Sequence, residues 1–123
     1  MPRVPKTVGP AQPNQSLIAG LECLFAVAAA AEPVGSRELS RQLNMEPTRI
    51  NRLLKTLGAA GFVRQNAERR YQPGTAMHVM AAVAMHGSRL LRVALPVISG
   101  LMRQTGRPAA LGVLWRGWVS YLY

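Results

Sequence analysis

Aspartate is absent from the 123 residues, and the five acidic residues, all glutamate, face 15 Lys and Arg for a formal net charge of +10. Those glutamates do not cluster, so paired-carboxylate chemistry has no candidate pair. The two histidines, His78 and His86, lie eight positions apart, ~12 Å of rise on a helix, too far to share a metal ion. No catalytic residue, metal ligand or cofactor is expected, and the chain reads as a non-enzyme. Cys23 is the sole cysteine, which excludes an intramolecular disulfide and points to a reducing cytoplasm. With no activating neighbour in sequence, it is a small apolar residue awaiting burial. The longest apolar run, Leu17 to Ala31, carries Glu22 and is shorter than the ~20 residues of a bilayer-crossing helix. Residues 1–15, "MPRVPKTVGPAQPNQ", lack the apolar core of a secretory signal. Rich in Pro, Gly and Gln, with Arg3 and Lys6, they read as a disordered basic arm.

What the chain has is an excess of positive charge, which attracts a polyanion: nucleic acid or an acidic membrane surface. Its basic residues gather in one stretch rather than along a single amphipathic helix, which favours nucleic acid. Helical periodicity begins after the arm. Ser16 is placed to cap a helix over Leu17–Ala31 with Leu17, Leu21, Leu24 and Ala28 inward, ended by Pro33 and Gly35. Ser36 is placed to cap the next, "RELSRQLN", with Glu38 in the first turn and Leu39 and Leu43 inward. After a break at Asn44–Glu46, Pro47 opens a third helix in which Ile50, Leu53, Leu54 and Leu57 recur at the spacing of a core-facing stripe. Gly61 follows it in a left-handed conformation. Phe62, Val63 and Tyr71 flank a polar turn at Asn66–Glu68, predicting a short two-stranded ribbon.

The third helix leaves Thr48, Arg49, Asn51, Arg52, Lys55 and Thr56 on its other face. A solvated face is the general case for an amphipathic helix, but such faces usually mix charge signs, and this one holds no acid after Glu46. Helix, turn, helix and basic ribbon describe a winged helix-turn-helix, whose second helix enters the major groove of duplex DNA. Arg suits the paired acceptors of guanine, Asn suits adenine, and Thr a phosphate or a thymine methyl. Ser36 and Arg37 are placed to hold phosphate, and Arg69 and Arg70, near the ribbon tip, to reach backbone or minor groove.

The runs "SLIAGLECLFAV", "VGSRELSRQLNMEPTRINRLLKTLGAAGFVRQ" and "RRYQPGTAMHVM" also resemble the DNA-binding domain of the isocitrate lyase regulator (IclR) family of bacterial transcription regulators. That family's pattern has Ser-Thr then His-Arg-Leu-Leu in the recognition helix, a Gly-Tyr-Val strand and a Tyr-Arg-Leu-Gly wing exit. Thr48, Arg49, Asn51, Arg52, Leu53 and Leu54 fall at the matching helix positions, and Gly61, Phe62, Val63, Tyr71 and Gly74 at the wing landmarks. Arg49 stands where Thr is usual, Asn51 where His is usual and Pro73 where Leu is usual. The first two bear on which operator is read, not on how it is held. The resemblance continues through "RVALPVISGLMRQTGRPAALGVLWRGWVSYLY", similar to the start of the family's effector-binding domain, and stops at Tyr123.

The expected architecture is mainly α with a small β-wing. The winged helix-turn-helix occupies 16–74, a linker helix 75–87 and an incomplete α/β segment 88–123. In that last segment Leu91, Leu95, Ile98 and Leu101 or Met102 face inward on a helix that Pro96 should kink. Arg116-Gly117 then turns a hairpin between Leu111–Trp115 and Trp118–Tyr123. The linker helix is apolar nearly all round, and Met77, Met80, Ala81, Ala84 and Met85 are its candidate dimerisation residues. The resemblance implies repressors or activators that bind a pseudopalindromic operator as dimers or tetramers under a small-molecule effector. An effector site needs a complete C-terminal domain, so the expectation here is DNA binding without normal effector control, by a cytoplasmic, nucleoid-associated protein that binds no membrane. Two other readings remain open: a module that heterodimerises with a full-length relative and silences it, and a nonspecific basic DNA-binding protein.

Overall fold

The computed structural model describes residues 12–123, so most of the proposed basic arm lies outside the described residues. In chain order the elements are α1 (Gln15–Ala29), α2 (Ser36–Leu43), α3 (Pro47–Ala59), β1 (Val63–Gln65), β2 (Tyr71–Pro73), α4 (Thr75–His86), α5 (Arg89–Thr105), β3 (Gly112–Trp115) and β4 (Trp118–Tyr121). This is the mainly helical, winged architecture expected. The fold divides into two units, with the division after Met80, inside α4.

In the first unit α1, α2 and α3 enclose a core of Cys23, Ala26, Val27, Val34, Leu39, Ile50, Leu54 and Val63, with Leu24, Leu43, Met45, Leu53, Leu57 and Tyr71 packed around it. The apolar stripe expected on α3 is the one that faces this core. The stripe expected on α1 meets the core only through Leu24. Its buried residues are Ala19, Cys23, Ala26 and Val27, whereas Leu17 and Leu21 are 61% and 53% exposed. Small side chains win this face because α3 crosses close by. A Cβ on Gly20 would lie 3.8 Å from Leu53 Cδ2, and a leucine stripe would hold the helices apart.

The caps also differ from expectation. Asn14, not Ser16, caps α1, its side-chain oxygen accepting from the Leu17 N–H at 3.0 Å, so Gln15 of the presumed arm is already helical. Gly35, not Ser36, is the N-cap of α2, and no side chain caps that helix. Asn44 turns the chain from α2 to α3 in a left-handed conformation (φ 53°), which Asn tolerates better than most residues. Beside it the Ser40 hydroxyl donates to the Met45 carbonyl at 2.5 Å.

Helix α3 ends in a reciprocal C-terminal motif, Gly61 N–H to Gly58 O at 3.0 Å and Phe62 N–H to Leu57 O at 2.9 Å, with Gly61 at φ 84° as anticipated. The chain then enters an antiparallel ribbon in which Val63 faces Pro73, Arg64 faces Gln72 and Gln65 faces Tyr71. Val34 adds a bridge to the ribbon, exchanging hydrogen bonds with Tyr71 at 2.9 and 2.7 Å. At the ribbon's base, Gly74 N–H donates to Phe62 O and Ala76 N–H to Gly61 O, at 2.8 and 3.0 Å. The backbones touch so closely there that a Cβ on Gly74 would sit 2.3 Å from the Gly61 carbonyl oxygen.

None of the residues of α4 is buried. In the second unit, the Ser88 side chain caps α5 by accepting from Leu91 N–H, and Gly106 ends that helix at φ 64°. Leu91 and Ile98 are buried as expected, while Leu101 and Met102 are exposed. Strands β3 and β4 pair through a two-residue turn, with Arg116 at φ 51° and Gly117 at φ 81°. Positive φ at both positions is the turn that matches strand twist. Leu114, Trp118, Val119 and Tyr121 are exposed on this hairpin, and the Arg116 guanidinium lies 4.6 Å from the Trp115 ring centroid. Among the described residues no single helix is long and apolar enough to cross a membrane, and no group of three metal-ligating side chains occurs.

Candidate nucleic-acid interface

Helix α3 is anchored by burying Ile50 and Leu54 completely, with Leu53 and Leu57 against the same core. That anchoring dictates which side chains face out. Thr48, Arg49, Asn51, Arg52, Lys55 and Thr56 are all exposed, a surface with three cations and no acid. Among the described residues no hydrogen bond or ion pair holds the side chains of Thr48, Arg49, Asn51, Arg52 or Lys55. Thr56 differs: its hydroxyl donates to the Arg52 carbonyl at 2.9 Å. Its proton is therefore committed to its own helix, leaving it an acceptor and a methyl group.

At the start of α2, Ser36 is half-buried and Arg37 exposed. With no side chain capping this helix, its first backbone N–H groups remain available to an anion, where the helix dipole favours negative charge. Arg37 adds a full charge beside them.

The ribbon's three arginines have separate environments. Its turn is built on Asn66, whose side-chain oxygen accepts from the N–H groups of Glu68 and Arg70 at 3.0 and 2.9 Å, while Arg69 N–H donates to Asn66 O at 3.0 Å. This places Arg69 at the turn with φ 59°, exposed, its guanidinium without an internal partner among the described residues. Arg64 is held across the ribbon: in the amide orientation that satisfies both groups, Gln72 accepts from its Nη2 and Nε at 2.8 and 2.7 Å. Arg70 is turned away from the tip. Its Nε donates to Pro33 O at 2.8 Å and its Nη2 to Glu38 Oε1 at 2.6 Å. Sequence reasoning grouped Arg69 and Arg70 by adjacency, but the turn gives them different surroundings: Arg69 is exposed at φ 59°, while Arg70 is half-buried and bonded to Pro33 and Glu38.

Among the candidate dimerisation residues, Met80, Ala81, Ala84 and Met85 are exposed and Met77 is half-buried. Two apolar groups missed in the sequence join them as exposed surface: Val79 and Val83 on α4, and Leu17, Leu21 and Phe25 on α1. Leu17 and Leu21 read as core in the sequence because spacing alone does not say which of two apolar stripes meets the neighbouring helix.

A polar recognition helix presented by a buried stripe, with an uncapped helix start and a ribbon beside it, defines a winged helix-turn-helix. Residues 16–67 match the IclR helix-turn-helix domain. The acetate operon repressor of Salmonella typhimurium is 31% identical over 101 residues, which cover 81% of this chain and 37% of the relative. The transcriptional repressor IclR of Escherichia coli K12 is 30% identical over 101 residues, with the same two shares. An IclR family transcriptional regulator from Brucella abortus superposes with a TM-score of 0.81 over 91% of this chain and 44% of that one, at 22% identity. The chain belongs to the IclR family, and it spans 37% of the length of those two curated relatives.

Proposed function

We propose that this chain is a sequence-reading DNA-binding transcriptional regulator, acting in the cytoplasm at the nucleoid. The carrying observation is the outer face of α3, where Arg49, Asn51, Arg52 and Lys55 stand exposed, with no acid beside them on that face and no side-chain partner among the described residues. These groups keep their full hydrogen-bonding capacity for base edges and phosphates. Thr48, Ser36 and Arg37 supply backbone-phosphate contacts that set register, and Arg69 supplies charge from the ribbon. Thr56 contributes acceptor or methyl contact only. Both curated relatives are named repressors, so repression is the activity to assay first.

The chain acts as a dimer in this reading. Its support is the exposed apolar surface of α4, Met80, Val83 and Met85, with Leu17 and Leu21 of α1. A two-fold dimer brings two recognition helices to half-sites ~34 Å apart.

The test is selection of bound duplexes from a random DNA pool at near-physiological salt. The expected result is an enriched motif with two-fold symmetry. A pool that binds without enrichment would leave only phosphate attraction and overturn sequence reading.

A further inference from the structure

The Arg70 side chain links parts of the first unit that lie more than thirty residues apart in the sequence. Besides the bonds of Nε to Pro33 O and of Nη2 to Glu38, its backbone N–H is held by Asn66, and the next residue, Tyr71, bridges Val34 in both directions. One side chain thus joins three parts of the fold: the ribbon, the loop between α1 and α2, and the first turn of α2. It does so at the helix start where Ser36 and Arg37 are to receive phosphate. Glu38 lies within that turn, and an unpaired carboxylate there would repel the same phosphate.

From this juxtaposition we infer that Arg70 and Glu38 form a positioning pair for DNA binding: Arg70 seats the ribbon on α2 and neutralises Glu38, and does not itself contact DNA. The pair fixes where Arg69 is presented relative to the recognition helix. It also leaves the uncapped start of α2 with net positive character. The inference rests on the DNA-binding reading above. Nothing in it requires a large contribution to folding, because both side chains are partly exposed, 43% for Arg70 and 44% for Glu38, and exposed pairs of this kind stabilise weakly.

The inference has an outcome that simple electrostatics reverses. Removing an acid from a DNA-binding surface should tighten binding, since it raises the net charge. Here Glu38→Ala is expected to weaken binding to the selected duplex ~3- to 10-fold, the scale of coupling within one partly exposed pair. Arg70→Ala should lose about as much, and the double variant no more than either single. The exchanged pair, Glu38→Arg with Arg70→Glu, should recover part of the loss. The slope of log affinity against log salt should stay unchanged in Arg70→Ala, because no phosphate contact is removed.

All variants are measured in the full chain by fluorescence anisotropy on labelled duplex, with thermal melts establishing that each is folded; Glu38→Gln, which keeps an acceptor for Arg70, stands in for any that is not. Tighter binding by Glu38→Ala, additive losses, or a slope shallower by ~1 in Arg70→Ala would overturn the inference and make Arg70 a phosphate contact. Arg52→Ala on the same duplex separates this from failure of the wider reading. If Arg52→Ala is also without effect, the recognition role of α3 is wrong, and if the wild type binds no duplex, DNA binding itself is wrong.

Discussion

Arg69 occupies a left-handed position at a ribbon turn, and at that position glycine is the unstrained residue. Arg69→Gly therefore deletes the charge while easing the backbone. It should weaken binding to all duplexes about equally and make the salt slope shallower by ~1, with the melting temperature unchanged or raised. Arg52→Ala should instead cost ~1–3 kcal/mol on the preferred site and relax base preference, as binding titrations on matched and single-substituted duplexes would show. Cys23 is fully buried, and that burial pushes its thiol up to about 11 from 9.0. The raised value means the folded state holds the neutral thiol while the unfolded chain ionises. Its contribution is present below pH 9.0 and is lost as pH rises toward about 11. Cys23→Ala should flatten the fall in stability across that window in urea titrations, and the native thiol should resist alkylation that proceeds quickly in denaturant.

At the scale of elements, the sequence was most legible where a strong pattern met a single possible neighbour. Helix α3 follows its stripe because Ile50, Leu53, Leu54 and Leu57 leave only one apolar side, and Gly61 and Arg116-Gly117 announced their turns through backbone freedom. Helix α1 misled because two stripes were apolar, and close approach to α3 selected the smaller. Adjacent arginines in the ribbon were inseparable by composition; the partners that set Arg70 apart, Glu38 and Pro33, lie more than thirty residues earlier. Gly74 illustrates a constraint that no periodicity reveals. Its replacement by alanine would press a Cβ into the Gly61 carbonyl, and since the obstacle is backbone, relief requires parting the ribbon from the start of α4. Gly74→Ala should destabilise the first unit by about 2–3 kcal/mol, lowering its melting temperature by roughly 10 °C.

For the whole molecule, the dimer proposed above rests on the exposed apolar surface of α4. A charge placed on it should leave the protomer folded, because none of this helix's residues is buried. Val83→Glu is expected to shift the sedimentation profile toward monomer and to lower affinity for a two-fold site about 10- to 100-fold. Binding to a single half-site should change little. Retention of the dimer by this variant would move the interface elsewhere, with Leu17 and Leu21 of α1 the next face to test.

The β3–β4 hairpin holds both tryptophans of the chain, Trp115 and Trp118, so intrinsic indole emission is a property of the second unit alone. The first unit, with Tyr71, is spectroscopically almost silent at those wavelengths, while its helices dominate neither more nor less of the far-ultraviolet signal than their length warrants. Indole emission thus follows the second unit, while far-ultraviolet ellipticity sums the helices of both, and one unlabelled sample gives both unfolding curves. Coincident curves would mean that the reading head and the hairpin unit melt as one cooperative body. Separated curves, with helical signal outlasting the change in emission, would mean that the first unit persists after the second has come apart.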